Sequence, residues 1–224
     1  MKKKILLLFG EKDYHAKKLV LSLKKKVNLK VNFFSKKKKT KTLFKKKNSF
    51  YDFIFCFRSK YILSYSDIKK SKFPPINFHP GPPEYRGYGC VNFALYKNSK
   101  NYGVTAHLIN EKIDSGKIIN VKRFKIKKKD NVSSLLKKTH SELFFMAKKT
   151  IFDLLKRPDT ISTLLKKSKK EKWSKVIKSK KDLDKFYEIA VNSSQNEIKR
   201  KIRSTVYKHF KPYISLNKKK YYLE

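Results

Sequence analysis

The chain has 224 residues and a formal net charge of +42, from 59 Lys and Arg against 17 Asp and Glu. With 39% hydrophobic and 14% aromatic residues it holds enough apolar material for one globular domain with a small appendage, which excludes disorder throughout. Its two cysteines lack metal-type spacing, which excludes a zinc module, and no apolar stretch approaches membrane-spanning length; a cytoplasmic address with no membrane partner is expected.

Ile5–Phe9, after Met1-Lys2-Lys3-Lys4, is an apolar run too short for an export leader; it predicts a buried parallel strand. Leu19, Val20 and Leu23 share one face of a helix over Tyr14–Lys26, and Val27–Phe34 alternates as a second strand would. Phe53–Phe57 is a third apolar run, Ser64–Lys70 is helix-like, and Ile76-Asn77-Phe78 is a fourth strand entered through Pro74-Pro75. Strands alternating with helices imply an α/β fold with a parallel sheet, which binds ligands beyond the carboxyl ends of its strands. Gly103–Ile109 and Lys117–Ile126 predict two more strands joined through Asp114-Ser115-Gly116. Leu136, His140, Leu143, Ala147, Ile151 and Leu154 recur at helical spacing over Leu135–Leu155, and Pro158 ends that helix. The reading divides the chain into a main domain, 1–158, and a small lysine-rich extension, 159–224, with a helix near Asn196–Ser204 and a hairpin of Tyr213–Leu216 and Tyr221–Leu223.

The positive charge is nearly all lysine and is spread along the chain; the arginines are Arg58, Arg86, Arg123, Arg157, Arg200 and Arg203. Phosphate readers favour arginine's planar fork, so the excess reads as drift toward residues with AT-rich codons rather than as a dedicated polycation. The field nonetheless attracts anionic ligands at low salt. Against that background, Gly81, Gly87, Gly89, Gly103 and Gly116 fall in one window, and five of the seven prolines lie between positions 74 and 83. A stretch that keeps these residues needs backbone dihedrals that lysine or asparagine supply poorly.

That window carries the candidate chemistry. Asn77 and His79 sit two apart at a strand end, so they face the same side. Downstream, Asp114 lies in an Asp-x-Gly turn that can return a carboxylate to the same place. Acyl transfer to an amine uses such a set: imidazole as base, an asparagine amide for the oxyanion, worth about 3–4 kcal/mol, and a carboxylate that orients the imidazole and favours its protonated form. Each piece also has a plainer reading, since Asn-x-His-Pro can be a mere strand terminus and Asp before Ser-Gly a mere turn residue. His107 reads as a packed or orienting histidine. Cys90 as a nucleophile, or His79, His107 and Asp114 as a metal site, are weaker alternatives. His15, His140 and His209 read as incidental.

In order, Asn77-Phe78-His79-Pro80, Pro83-Glu84-Tyr85-Arg86-Gly87, Tyr102-Gly103-Val104-Thr105-Ala106-His107 and Asp114-Ser115-Gly116-Lys117-Ile118 resemble the motifs of the folate-dependent formyltransferases. The resemblance spans about 1–155 and is strongest over about 52–125. It implies a Rossmann-like core with a mostly parallel sheet plus a small C-terminal extension, 10-formyltetrahydrofolate as formyl donor, and no metal. It implies Asn77, His79 and Asp114 as the catalytic triad. Arg58, Tyr61, Ile62 and Leu63 would lie on the loop that cradles the pterin ring, and Tyr85, Arg86 and Gly87 where the acceptor approaches.

Members of that family differ in acceptor. Those acting on glycinamide ribonucleotide carry a glycine-serine-asparagine phosphate loop after the first strand; here the place reads Phe9-Gly10-Glu11-Lys12-Asp13, whose acids oppose an anion. Those acting on methionyl-tRNA add a sizeable C-terminal barrel, for which 159–224 is short. The Tyr85-Arg86-Gly87 stretch and the short tail are most similar to sugar-nucleotide N-formyltransferases, so an amino-sugar nucleotide is the favoured partner. RNA contact and a homodimer are compatible with the chain. A formyltetrahydrofolate hydrolase and a basic nucleic-acid-binding protein on a degenerate enzyme core are the alternatives from other classes.

Overall fold

Two of the apolar runs become neighbouring interior strands of one sheet. The computed structural model describes residues 2–34, 49–217 and 219–223. Its elements are β1 (Lys4–Phe9), α1 (Tyr14–Lys24), β2 (Asn28–Phe33), β3 (Phe53–Phe57), α2 (Tyr65–Ile68), β4 (Ile76–His79), β5 (Arg86–Gly87), α3 (Cys90–Tyr96), β6 (Asn101–Leu108) and β7 (Ile118–Lys125). They continue as α4 (Val132–Lys156), α5 (Thr160–Lys167), β8 (Ile177–Lys178), α6 (Lys180–Phe186), α7 (Gln195–Thr205), β9 (Tyr213–Leu216) and β10 (Lys219–Tyr222).

The main sheet has the order β2-β1-β3-β4-β6-β7. Its first four strands are parallel, whereas β6 pairs antiparallel with both β4 and β7. The mostly parallel α/β architecture therefore holds, with β6 running against the other five strands. The cause is connection length: the link from β6 to β7 is too short for a crossover helix, so β7 must double back.

β1 and β3 are buried on both faces because alternate side chains feed two cores. Ile5, Leu7, Phe9, Phe53, Phe55 and Phe57 pack with α1 and α4 on one side. Leu6, Leu8, Ile54 and Cys56 pack with Tyr61 and Leu63 on the other. Each such large side chain withdrawn from water contributes about 1.5–3 kcal/mol, which fixes β1 and β3 as the rigid floor from which the loops project.

α4 begins at Val132, three residues before the expected Leu135, because Asn131 and Ser134 cap it reciprocally at 3.0 and 3.1 Å. It ends before Pro158, with Arg157 in extended backbone as a residue before proline prefers. Beyond it lie the expected helix and hairpin and, in addition, α5, β8 and α6. α5 sets Ile161, Leu164 and Leu165 against the sheet. α6 starts on a Ser179–Asp182 capping box rather than on an apolar stripe, so periodicity does not reveal it. α7 is tied to α3 by the Asn92 side chain, which donates to the Ser204 carbonyl at 2.7 Å.

Candidate active site

β4 presents Asn77 and His79 toward one cavity at the carboxyl end of the parallel strands. The antiparallel register sets Asn77 directly opposite His107 and His79 opposite Thr105. The chain then leaves β6 through a loop in which Asp114 adopts a left-handed conformation, φ 45°, that turns its carboxylate back toward β4. There His79 Nδ1 lies 3.3 Å from Asp114 Oδ2. Asn77 Nδ2 lies 3.0 Å from His107 Nε2 and 3.4 Å from Asp114 Oδ1. All three ionisable side chains are at least nine-tenths buried. Gly81 leaves room for the ring: a Cβ there would stand 2.7 Å from His79 Nε2.

The surroundings of His79 favour its charged form. Both His79 ring nitrogens face acceptors, Asp114 on Nδ1 and the Tyr85 carbonyl, at 3.0 Å, on Nε2. An acceptor beside each nitrogen favours the imidazolium. Burial alone would lower the His79 pKa, but the Asp114 carboxylate, helped by Cys90 and the Tyr85 carbonyl, lifts it to about 9. Burial would likewise raise Asp114, and the His79 charge, the His107 ring and the Gly87 backbone N–H outweigh it, holding the carboxyl at about 2. His107 Nδ1 faces the Leu108 carbonyl at 2.8 Å, and its Nε2 stands 3.0 Å from the Asn77 amide nitrogen and 3.5 Å from Asp114 Oδ1. At neutral pH the site thus holds a buried ion pair.

Cys90 Sγ lies 3.9 Å from His79 Nε2 but 3.3 Å from each of the Tyr85 and Gly87 carbonyls. Its proton goes to a carbonyl, and the neighbouring nitrogen is itself a donor, so no base faces the thiol. Among the described residues no group of three or more His, Cys, Asp or Glu is placed to hold a metal ion.

The cavity beside the ion pair has a volume of about 290 Å³. Arg58, Tyr61, Ile62 and Leu63 line it, together with Ile109, Ile113, Asn77, His79 and Asp114. The loop that carries the first four is stiff. Arg58 has φ 52° and is held by Asp13 and Glu11, while Tyr61 is pinned through its hydroxyl to buried Asp67 at 2.9 Å. Of the residues expected at the acceptor side, Gly87 lines the cavity, whereas Tyr85 and Arg86 stand outside it. The Tyr85 hydroxyl meets Ser99 at 2.6 Å, and the buried Arg86 donates to the carbonyls of Ser174 and Ile113 at 2.7 and 3.3 Å.

Two contributors take places that the sequence does not reveal. His107 joins the group only through the β4–β6 register, which pairs residues thirty positions apart. Trp173 comes from the lysine-rich extension and packs edge-on against His107 and His79, with ring centroids at 5.0 and 5.8 Å. Its being the one tryptophan in the chain is the sole signal that could have drawn attention to it.

The formyl transferase family model matches residues 4–144. A curated relative, the bifunctional polymyxin resistance protein ArnA of Wigglesworthia glossinidia brevipalpis, is 37% identical over 106 residues. That stretch is 47% of this chain, and the chain spans only 16% of that protein's length. The fold is similar over nearly the whole chain to a 4-N formyltransferase from Francisella tularensis (TM-score 0.71, 20% identity, 99% of this chain and 96% of that one). It is also similar to the N-formyltransferase from Helicobacter canadensis solved with folinic acid and dTDP-3-aminofucose (TM-score 0.68, 20% identity, 97% and 86%).

Proposed function

The chain belongs to the formyl transferase family, and on that premise we propose that it moves a formyl group from 10-formyltetrahydrofolate to the amine of a nucleotide-linked amino sugar. The observation that carries the reaction class is the buried Asn77–His79–Asp114 group at the mouth of an apolar cavity. What supports a sugar acceptor is the reach of the fold likeness, which extends through the tail to a structure that holds dTDP-3-aminofucose. On this reading residues 1–158 form the catalytic domain and 159–224 an extension that closes over it.

The cavity suits a flat bicyclic ring. Ile62, Leu63 and Ile109 supply apolar walls, and the volume is near the lower end for ligand sites. The donor brings a formyl group already attached to a nitrogen that can leave. This chain's residues do the rest. The His79 imidazolium sets positive charge where the formyl oxygen becomes negative as the amine bonds to the carbon. The formyl oxygen also competes for the Asn77 amide hydrogens now given to His107 and Asp114. The sequence reading makes His79 the base; held protonated by Asp114, it serves first as the donor. It then passes that proton to the departing nitrogen and regains one from the amine, so protons balance. Asp114 aims the ring throughout and favours its return to the charged form.

The test incubates the protein with the donor and a panel of amino-sugar nucleotides, glycinamide ribonucleotide and methionyl-tRNA, with mass spectrometry of the products. A formylated sugar nucleotide is expected. Formylation of another panel member would reassign the acceptor, and formate without formylated amine would point to a hydrolase.

A further inference from the structure

Residues 171–178 run from the C-terminal extension back across the site. The Ser174 amide donates to the Pro83 carbonyl at 2.9 Å, and the Ser174 carbonyl accepts from Arg86 Nη1 at 2.7 Å. Ile177 and Lys178 of β8 pair with Arg86 and Gly87 of β5, and the Lys178 carbonyl accepts from the Tyr88 amide at 2.8 Å. Glu171 is clamped by Arg123 at 2.6 Å, and the same guanidinium holds Glu84. The strap therefore stitches down the loop after β4. Through Trp173 it also grips the loop after β6, where the indole Nε1 donates to the Gly116 carbonyl at 2.8 Å, two residues beyond Asp114.

We propose that Trp173 is a positioning residue of the reaction, holding the Asp114 turn by its hydrogen bond and the His79 and His107 rings by its edge. This rests on the formyl-transfer reading above. Four observations converge on it. Trp173 is absent from the cavity wall, so it acts through other groups. Its ring stands perpendicular, at 90°, to His107 and at 75° to His79, the edge arrangement that aromatic pairs favour. Its N–H fixes a turn whose Asp114 sits in a conformation that non-glycine residues seldom adopt. Arg86, bridging the strap to the Ile113 carbonyl, lies 5.6 Å from the indole and keeps it wedged between the two loops. A turn so held cannot drift by the ångström that uncouples a carboxylate from its imidazole.

The experiment compares wild type, Trp173→Phe and Trp173→Ala by circular dichroism, kcat, donor KM and the pH profile. Loss of positioning predicts kcat down about 100-fold for alanine and less for phenylalanine, with donor KM unchanged. It also predicts that the alkaline limb of kcat moves to lower pH as the Asp114 contact loosens. The phenylalanine variant, which keeps most of the ring, decides the matter if the alanine variant melts. A folded variant with wild-type kcat and an unmoved limb would overturn the proposal. A second readout does not depend on the acceptor. Trp173 emission, quenched by a neighbouring imidazolium, should rise between pH 7 and 10 in wild type and not in His79→Gln. Identical emission profiles would overturn the placement, whereas failure of wild type to formylate any amine sinks the functional reading and leaves the emission result to stand by itself.

Discussion

His79 and His140 are both buried or half-buried imidazoles near a carboxylate, yet at neutral pH the first is charged and the second neutral. Beside Asp114, His79 is lifted to about 9. His140, on α4, is pushed down to about 4 by burial and by the Arg58 guanidinium, with Asp13 too weak a counterweight. Burial lowers both rings; the nearest formal charge decides the outcome. At the β4 end that charge is a carboxylate locked at 3.3 Å, whereas at the α1 end Asp13 spends its charge on Arg58 and on capping α1 through the Ala16 amide. One histidine is thereby held charged, and the other is a neutral ring packed edge-on against His15.

The contrast can be broken most sharply at its carboxylate. Asp114→Asn and His79→Ala should each reduce kcat by about a thousandfold or more, in the range seen when a charge-stabilising group is removed, while circular dichroism stays that of wild type. Full activity in either variant would remove the mechanism. Next in size, Ile62→Asp puts a carboxylate on the apolar wall of the cavity and should raise donor KM about tenfold or more with a smaller effect on kcat, checked by initial rates.

The ion pair also predicts how stability depends on pH. His79 has a folded pKa above its unfolded value, so its contribution is complete below about pH 6.5 and is lost as pH rises through 9. Asp114 has a depressed folded pKa, so its contribution is complete above about pH 4 and is lost as pH falls through 2. Thermal melts of wild type and His79→Gln should therefore converge between pH 6.5 and 9, and parallel curves would contradict the pairing. The smallest effect is expected at the other histidine: His140→Gln should leave kcat within about twofold, because a ring that stays neutral above pH 4 holds no charge the reaction uses.

Much of this contrast is legible in the chain. Continuous apolar runs announce β1 and β3, and period two places Asn77 and His79 on one side of β4. The retained glycines and prolines mark the segment that bends around them, because only a special backbone resists lysine there. What stays hidden depends on distant pairing. The β4–β6 register that brings His107 onto Asn77 spans thirty residues, and nothing local encodes it. The two-residue ladder between β5 and β8 is too short to have a period, so the strap and Trp173 look like part of a lysine-rich tail. Arg86 is expected where the acceptor approaches, yet it is buried and spends its Nη1 and Nη2 donors on two carbonyls. His140 is legible only as a helical position; its neutral state follows first from burial and then from Arg58, more than eighty residues away in sequence.

The account stands on the charge of His79, and NMR titration of its imidazole resonances, assigned with His79→Gln, reads that charge directly. The prediction is a midpoint near pH 9 in wild type that falls toward the ordinary histidine value in Asp114→Asn. A wild-type midpoint at or below pH 6.5, or one that Asp114→Asn leaves in place, would contradict it.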